Sequence, residues 1–154
     1  MKKLSVLFSI CLVLFVSQTA FAQNNKWKIY QNARFGYSIA YPSNLLAPRG
    51  EADNGDGQVF ASEAAEMRVF GSNMLLNETL QKEFNAVVKE HENVSYKIYR
   101  KNFFVVSGAS DGVIFYQKTM AKPDGTFVTF TIEYDESERE TYDSIVTRIV
   151  NSFK

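Results

Sequence analysis

Between residues 94 and 134 the chain reads as four strand-like runs, 94–101, 103–108, 112–121 and 126–134, with only short turns containing Asn102, Asp111 or Asp124-Gly125 between them. Turns this short join antiparallel neighbours, because a parallel pair needs a crossover of a dozen residues or more. The last run alternates Val128, Phe130, Ile132 and Tyr134 with Phe127, Thr129, Thr131 and Glu133, the period-2 pattern of a strand with two different faces. A sheet built around this meander is the feature that every other segment must pack against.

Two amphipathic helices are available to cover it. Leu80, Phe84, Val87, Val88 and His91 recur at the spacing of one helical stripe, with Asn77 as the expected N-cap and Asn93 as the stop. Near the end of the chain, Ser137-Glu138-Arg139-Glu140 spells a capping box ahead of the stripe Tyr142, Ile145, Val146, Ile149, Val150 and Phe153. Before the first helix, residues 27–30 and 37–41 predict a hairpin closed by Pro42, and 58–62 and 67–72 predict two more strands around a turn at 63–66. Residues 43–57 carry Pro48, Gly50, Gly55 and Gly57 and predict a loop. Strands and helices do not alternate regularly, so the fold class expected is α+β with an antiparallel sheet and two main helices.

The first residues have a different grammar. Lys2 and Lys3 precede an apolar run at 4–16, a polar Ser17-Gln18-Thr19 and the small-residue site Ala20-Phe21-Ala22. This is an export signal, residues 1–22, with cleavage between Ala22 and Gln23. As a helix the apolar run rises about 20 Å, short of the roughly 30 Å of bilayer hydrocarbon, so a membrane anchor is not expected and no span remains after cleavage. Removing 22 of the 154 residues leaves 132, the size of one domain over 23–154. The place of action expected is periplasmic or extracellular.

Cleavage also removes Cys11, the only cysteine, so no disulfide can staple the exported domain. Ten phenylalanines, eight tyrosines and Trp27 remain to fill a core instead. With Lys2 and Lys3 gone, 15 basic residues face 17 acidic ones, a net charge of −2. A nucleic-acid partner is excluded by that balance, since phosphate binding needs a basic excess.

Three constellations bear on chemistry. Gly108-Ala109-Ser110-Asp111-Gly112 matches the G-x-S-x-G nucleophile pattern, which would make a hydrolase of Ser110 with His91, the only histidine, as its base. That motif needs a helix behind the serine, and a strand follows here, so a hairpin turn is the favoured reading. A calcium-loop register started at Ala52 places Asn54, Asp56, Gly57 and Glu63 at positions 3, 5, 6 and 12, but alanine at position 1 supplies no carboxylate. The metal alternative is thus a weak calcium site from Glu51, Asp53 and Asp56, set against a plain glycine-rich turn. Tyr96, Tyr99, Phe103, Phe104, Phe115 and Tyr116 could line a ligand pocket, although sheet packing explains them as well. Asp135, Glu136, Glu138 and Glu140 suit a helix N-terminus, and His91 suits a last helical turn.

Several phrases together resemble a known family. Arg34-Phe35-Gly36-Tyr37-Ser38-Ile39-Ala40-Tyr41-Pro42, Asn54-Gly55-Asp56-Gly57 before a strand, Phe104-Val105-Val106-Ser107-Gly108 and Ile114-Phe115-Tyr116 are similar to exported bacterial relatives of the Mog1/PsbP-like superfamily. The resemblance implies an α/β/α sandwich around a central antiparallel sheet, on a scaffold whose better-known members bind partners and are not enzymes. One is a photosystem subunit and another a nuclear GTPase-binding protein, and neither role carries over to an exported chain. The function expected is a non-catalytic binding or accessory domain engaging a protein partner in the cell envelope, with no resident cofactor. A small-ligand or calcium-binding domain is the alternative.

Overall fold

The computed structural model describes residues 26–154. The expected export signal, residues 1–22, and its Ala22–Gln23 junction lie outside the described residues. In chain order the elements are β1 (Trp27–Asn32), β2 (Tyr37–Pro42), β3 (Ala47–Glu51), β4 (Gly57–Ala61), β5 (Ala65–Asn73), α1 (Leu80–Glu90), β6 (Val94–Tyr99), β7 (Phe103–Ser110), β8 (Val113–Ala121), β9 (Thr126–Asp135), a 3-10 turn (Glu136–Glu138) and α2 (Arg139–Ser152).

Seven strands form one sheet in the order β3-β4-β5-β9-β8-β7-β6, every neighbour antiparallel, while β1 and β2 pair as a separate ribbon. The meander β6 to β9 is the one the tight turns predict. Its sheet is completed by β5, which pairs along β9 from Ala65↔Tyr134 to Asn73↔Thr126.

Alternation along the strands divides the core in two. Val128, Phe130, Ile132 and Tyr134 of β9 face Tyr142, Ile145 and Ile149 of α2 and the ribbon residues Tyr37, Ile39 and Tyr41. On the opposite face Phe127, Phe115, Phe104 and Val106 pack against Leu80 and Val87 of α1. The result is a three-layer α/β/α sandwich, as expected, with a ribbon added beside α2.

The two outer layers are staggered. α1 packs on β6 and β7, whereas α2 packs on β2 and β9. The face carrying α1 is therefore left open over β4 and β5. The ribbon is anchored by α2 and by the residues after it: Ser38 and Lys154 exchange backbone hydrogen bonds of 2.8 and 3.2 Å, and Ala40 N donates to Ser152 Oγ at 2.8 Å.

Three local expectations are corrected. Residues 43–57 hold a strand, β3, because β4 offers it an edge; all five of its residues are exposed, so no hydrophobic alternation announces it. The N-cap of α1 is Thr79, whose hydroxyl accepts from Lys82 N, while Asn77 takes φ 68° in the turn before it. The Ser137 capping box does not form: residues 136–138 make a 3-10 turn, α2 starts at Arg139, and Glu138 caps it without a side-chain bond. Glu136 N donates to Gly112 O at 2.7 Å, a tertiary bond that fixes the chain before the helix begins.

Candidate binding face on the open half of the sheet

β5 supplies the centre of this face. Ala65, Met67 and Val69 point into the α2-side core, which obliges Glu66, Arg68 and Phe70 to point the other way, where no helix covers them. Register places Arg68 beside Thr131 and Glu66 beside Glu133 of β9, with Gln117 of β8 beyond Thr131. Phe70 keeps 37% of its surface exposed.

One wall comes from the end of α1. His91 caps that helix, and its ring lies flat on Phe115 with centroids 3.8 Å apart and planes 9° from parallel. A cleft of about 340 Å³ runs from Glu90 and His91 to Arg68 and Phe70, and an adjoining hollow of about 300 Å³ continues from Arg68 and Phe70 to Asp56 and Gly57. Arg68 Nε and Glu66 Oε1 form an exposed ion pair at 2.6 Å, whose worth is in orientation more than in stability. Glu66, Glu90 and Glu133 outnumber Arg68, so the face is acidic around an aromatic centre.

The loop at the far end is a hydrogen-bonded clasp. Tyr30 Oη donates to Glu51 Oε1 at 2.6 Å, Asn32 Nδ2 donates to Gly55 O at 3.0 Å, and Arg34 donates to Asn54 O. Asn54 Nδ2 donates to Asp56 Oδ2 at 2.7 Å, and Tyr37 Oη donates to Asp56 O at 2.9 Å. Burial, and then the bond to Glu51, holds the Tyr30 hydroxyl above the ordinary phenol range; burial does the same to Tyr37. Of the candidate calcium ligands, Glu51 and Asp56 are thus engaged within the protein and Asp53 is exposed. Among the described residues no three histidine, cysteine or acidic side chains are grouped to hold a metal ion.

The G-x-S-x-G segment is a turn and not a nucleophile elbow. Asp111 and Gly112 take φ of 52° and 79°, the left-handed pair that a two-residue hairpin needs, and β8 follows directly. Ser110 Oγ bonds to Asp111 Oδ2 at 3.2 Å within that turn, whereas His91 lies on Phe115 in the cleft. The structure does not bring Ser110 and His91 into one site. The aromatic set also separates: Phe104 and Phe115 are buried in the α1-side core, while Tyr96 and Tyr99 remain exposed on β6.

Sequence reasoning passed over Glu66, Arg68, Phe70 and Glu133. A signal was present, since Phe70 occupies an outward position in a strand whose other outward residues are Glu66, Arg68 and Ser72. An exposed aromatic centre with a charged rim is the kind of patch in which protein interfaces concentrate their energy.

No protein-family model matches the chain, and no curated protein matches it in sequence. Its backbone is similar to the solution structure of cyanobacterial PsbP (CyanoP) from Synechocystis sp. PCC 6803, with a TM-score of 0.62 and 14% identity over 90% of this chain and 98% of that one. It is also similar to the crystal structure of the Saccharomyces cerevisiae Ran-binding protein Mog1p, with a TM-score of 0.56 and 10% identity over 84% of this chain and 95% of that one. The chain has the PsbP/Mog1-like fold.

Proposed function

We propose that this chain is an exported, non-catalytic binding domain that engages a protein partner in the cell envelope through the open half-sheet around Phe70. The observation that carries the reading is the stagger of the layers, which leaves Phe70 37% exposed at the middle of a cleft rimmed by Glu66, Arg68 and Glu133. Interfaces concentrate their energy in such aromatic centres, and the charged rim sets orientation. A protein of the same fold, Mog1p, is described as Ran-binding, which supports the use of this scaffold for protein recognition. Export rests on the pattern at residues 1–22, and among the described residues no helix is long and apolar enough to cross a membrane.

The test is site-specific photo-crosslinking in the expressing cell. A photoreactive phenylalanine analogue at position 70 is expected to give one discrete protein adduct in the envelope fraction, lost on Arg68→Glu. The same analogue at Asn151, on the exposed side of α2, is expected to give none. Absence of an adduct at 70, or the same adduct from 151, overturns the binding face. Mass spectrometry of the mature protein checks export separately: a chain beginning at Gln23 is expected, and an uncleaved chain confined to the cytoplasm would contradict it.

A further inference from the structure

The two edges of the seven-stranded sheet are built differently. β3 is short, contains Pro48, which has no N–H to offer, and breaks register between Pro48 and Glu51. Such features close an edge to pairing. β6, at the other end of the order, runs six residues with no strand beyond it among the described residues. Arg100 N donates to Phe103 O, which makes that a bonded pair of the β6–β7 hairpin. Bonded and unbonded pairs alternate along an antiparallel ladder, so Ile98 bonds to β7 and the N–H groups of Lys97 and Tyr99 point outward from the sheet.

The chemistry along this edge is one-sided. From Asn93 to Ser110 the chain contains Lys97, Arg100 and Lys101 and no acidic residue, in a protein whose exported part is acidic on balance. Tyr96 and Tyr99 are 50% and 37% exposed on its two sides. Tyr99 O accepts from Arg100 Nη1 at 3.0 Å, a side-chain donor that a backbone N–H can replace, freeing the guanidinium for a carboxylate. On the Tyr96 side a cavity of about 360 Å³, lined in part by Ser95, Ser107, Tyr116, Arg139 and Asp143, lies next to the strand and has room for an apolar side chain.

The geometry points to β6 as a docking edge that takes an acidic extended segment of another protein as an eighth strand. Backbone pairing to Lys97 and Tyr99 supplies affinity, and alternate side chains supply selectivity. Acidic residues fall on the Lys97 face, and apolar ones fall beside Ile98 and Tyr96. This surface is separate from the Phe70 face and stands or falls independently of it.

An end-capped peptide alternating glutamate and valine is the probe, with an alternating lysine and valine peptide as control, read by titration calorimetry and by residue-resolved amide exchange on the purified protein. The glutamate peptide is expected to bind, more weakly as salt rises, and to slow exchange at Lys97 and Tyr99 about tenfold. Reversing the charges together (Lys97→Glu, Arg100→Glu, Lys101→Glu) is expected to raise Kd about tenfold or more with the thermal midpoint retained, while Phe70→Ala leaves Kd unchanged. Equal binding of the lysine peptide overturns the proposal. So does unchanged exchange at Lys97 and Tyr99, or binding to phosphatidylglycerol vesicles through the same three residues without binding of the glutamate peptide.

Discussion

Tyr30 Oη and Glu51 Oε1 lie 2.6 Å apart and join the separate β1–β2 ribbon to the edge strand β3 of the main sheet. β3 has no buried residue of its own, so its pairing to β4 and the bonds that Glu51 Oε1 accepts from Tyr30 Oη and, at 3.4 Å, from Asn32 Nδ2 are what hold it. Tyr30→Phe is expected to cost about 1 kcal/mol of stability in chemical unfolding and to speed amide exchange in β3 more than in β4. Glu51→Gln, which keeps an acceptor oxygen, is expected to cost less.

A second pair sits deep in the sheet, where Thr119 Oγ1 and Thr129 Oγ1 are 3.0 Å apart on adjacent strands, both residues buried. Thr119 Oγ1 also accepts from Gln117 Nε2 at 3.1 Å, so Thr129→Val leaves the Thr119 O–H without an acceptor while that second bond persists, and it is expected to destabilise by about 1 kcal/mol. Replacing both by valine restores an apolar pair of the same shape, and Gln117, half-buried at the open cleft, can turn its amide to solvent. In a double-mutant cycle the double variant is expected to be more stable than Thr129→Val, and simple additivity would refute this account.

Gly71 is held to its small size by Phe35, because a methyl group on it would overlap that ring. Gly71→Ala is expected to cost about 1–3 kcal/mol, as overpacked cores do. Combining it with Phe35→Leu should recover part of the loss. A Gly71→Ala protein as stable as wild type would show that the ribbon yields to the intrusion.

Alkaline titration should reveal four late tyrosines, Tyr30 at the ribbon clasp and Tyr37, Tyr116 and Tyr134. Burial, and then the neighbouring Tyr96, pushes Tyr116 up to about 12; burial also raises Tyr37, and burial with the bond to Asp143 raises Tyr134. A phenol harder to ionise in the folded state than in the unfolded chain leaves stability untouched below the unfolded pKa of about 10. Above it the unfolded form sheds its proton first, so stability falls as pH climbs from about 10 through the folded value. Phenolate absorbance is expected to show these residues ionising together with unfolding, and Tyr116→Phe to flatten the stability slope between about pH 10 and 12.

Calcium is expected to leave the thermal midpoint unchanged at millimolar concentration, since the carboxylates of Glu51 and Asp56 already accept from Tyr30 and Asn54. A rise in midpoint that is abolished by Asp53→Asn would reverse that expectation.

The meander was legible because its turns are local: Asp111-Gly112 and Asp124-Gly125 announce themselves wherever they occur. The helical stripes were equally plain, since Leu80 with Val87 and Ile145 with Ile149 are buried as their spacing requires. What escaped depended on distant partners. β3 exists through β4 and Tyr30, and the N-cap of α2 falls one residue beyond Ser137, at Glu138, after a 3-10 turn whose Glu136 is tied to Gly112. The candidate face escaped for a related reason: nothing in Glu66-Met67-Arg68-Val69-Phe70 says on which side of a sheet a helix will be missing.

The reciprocal bonds between Ser38 and Lys154 set a schedule. The ribbon is among the earliest described segments to leave the ribosome, yet the Ser152 hydroxyl that accepts from Ala40 N lies 112 residues further along the chain, and Lys154 follows it. Contacts at that separation form slowly, because the intervening chain must first be ordered. The architecture therefore postpones its own closure until nearly the whole polypeptide is available.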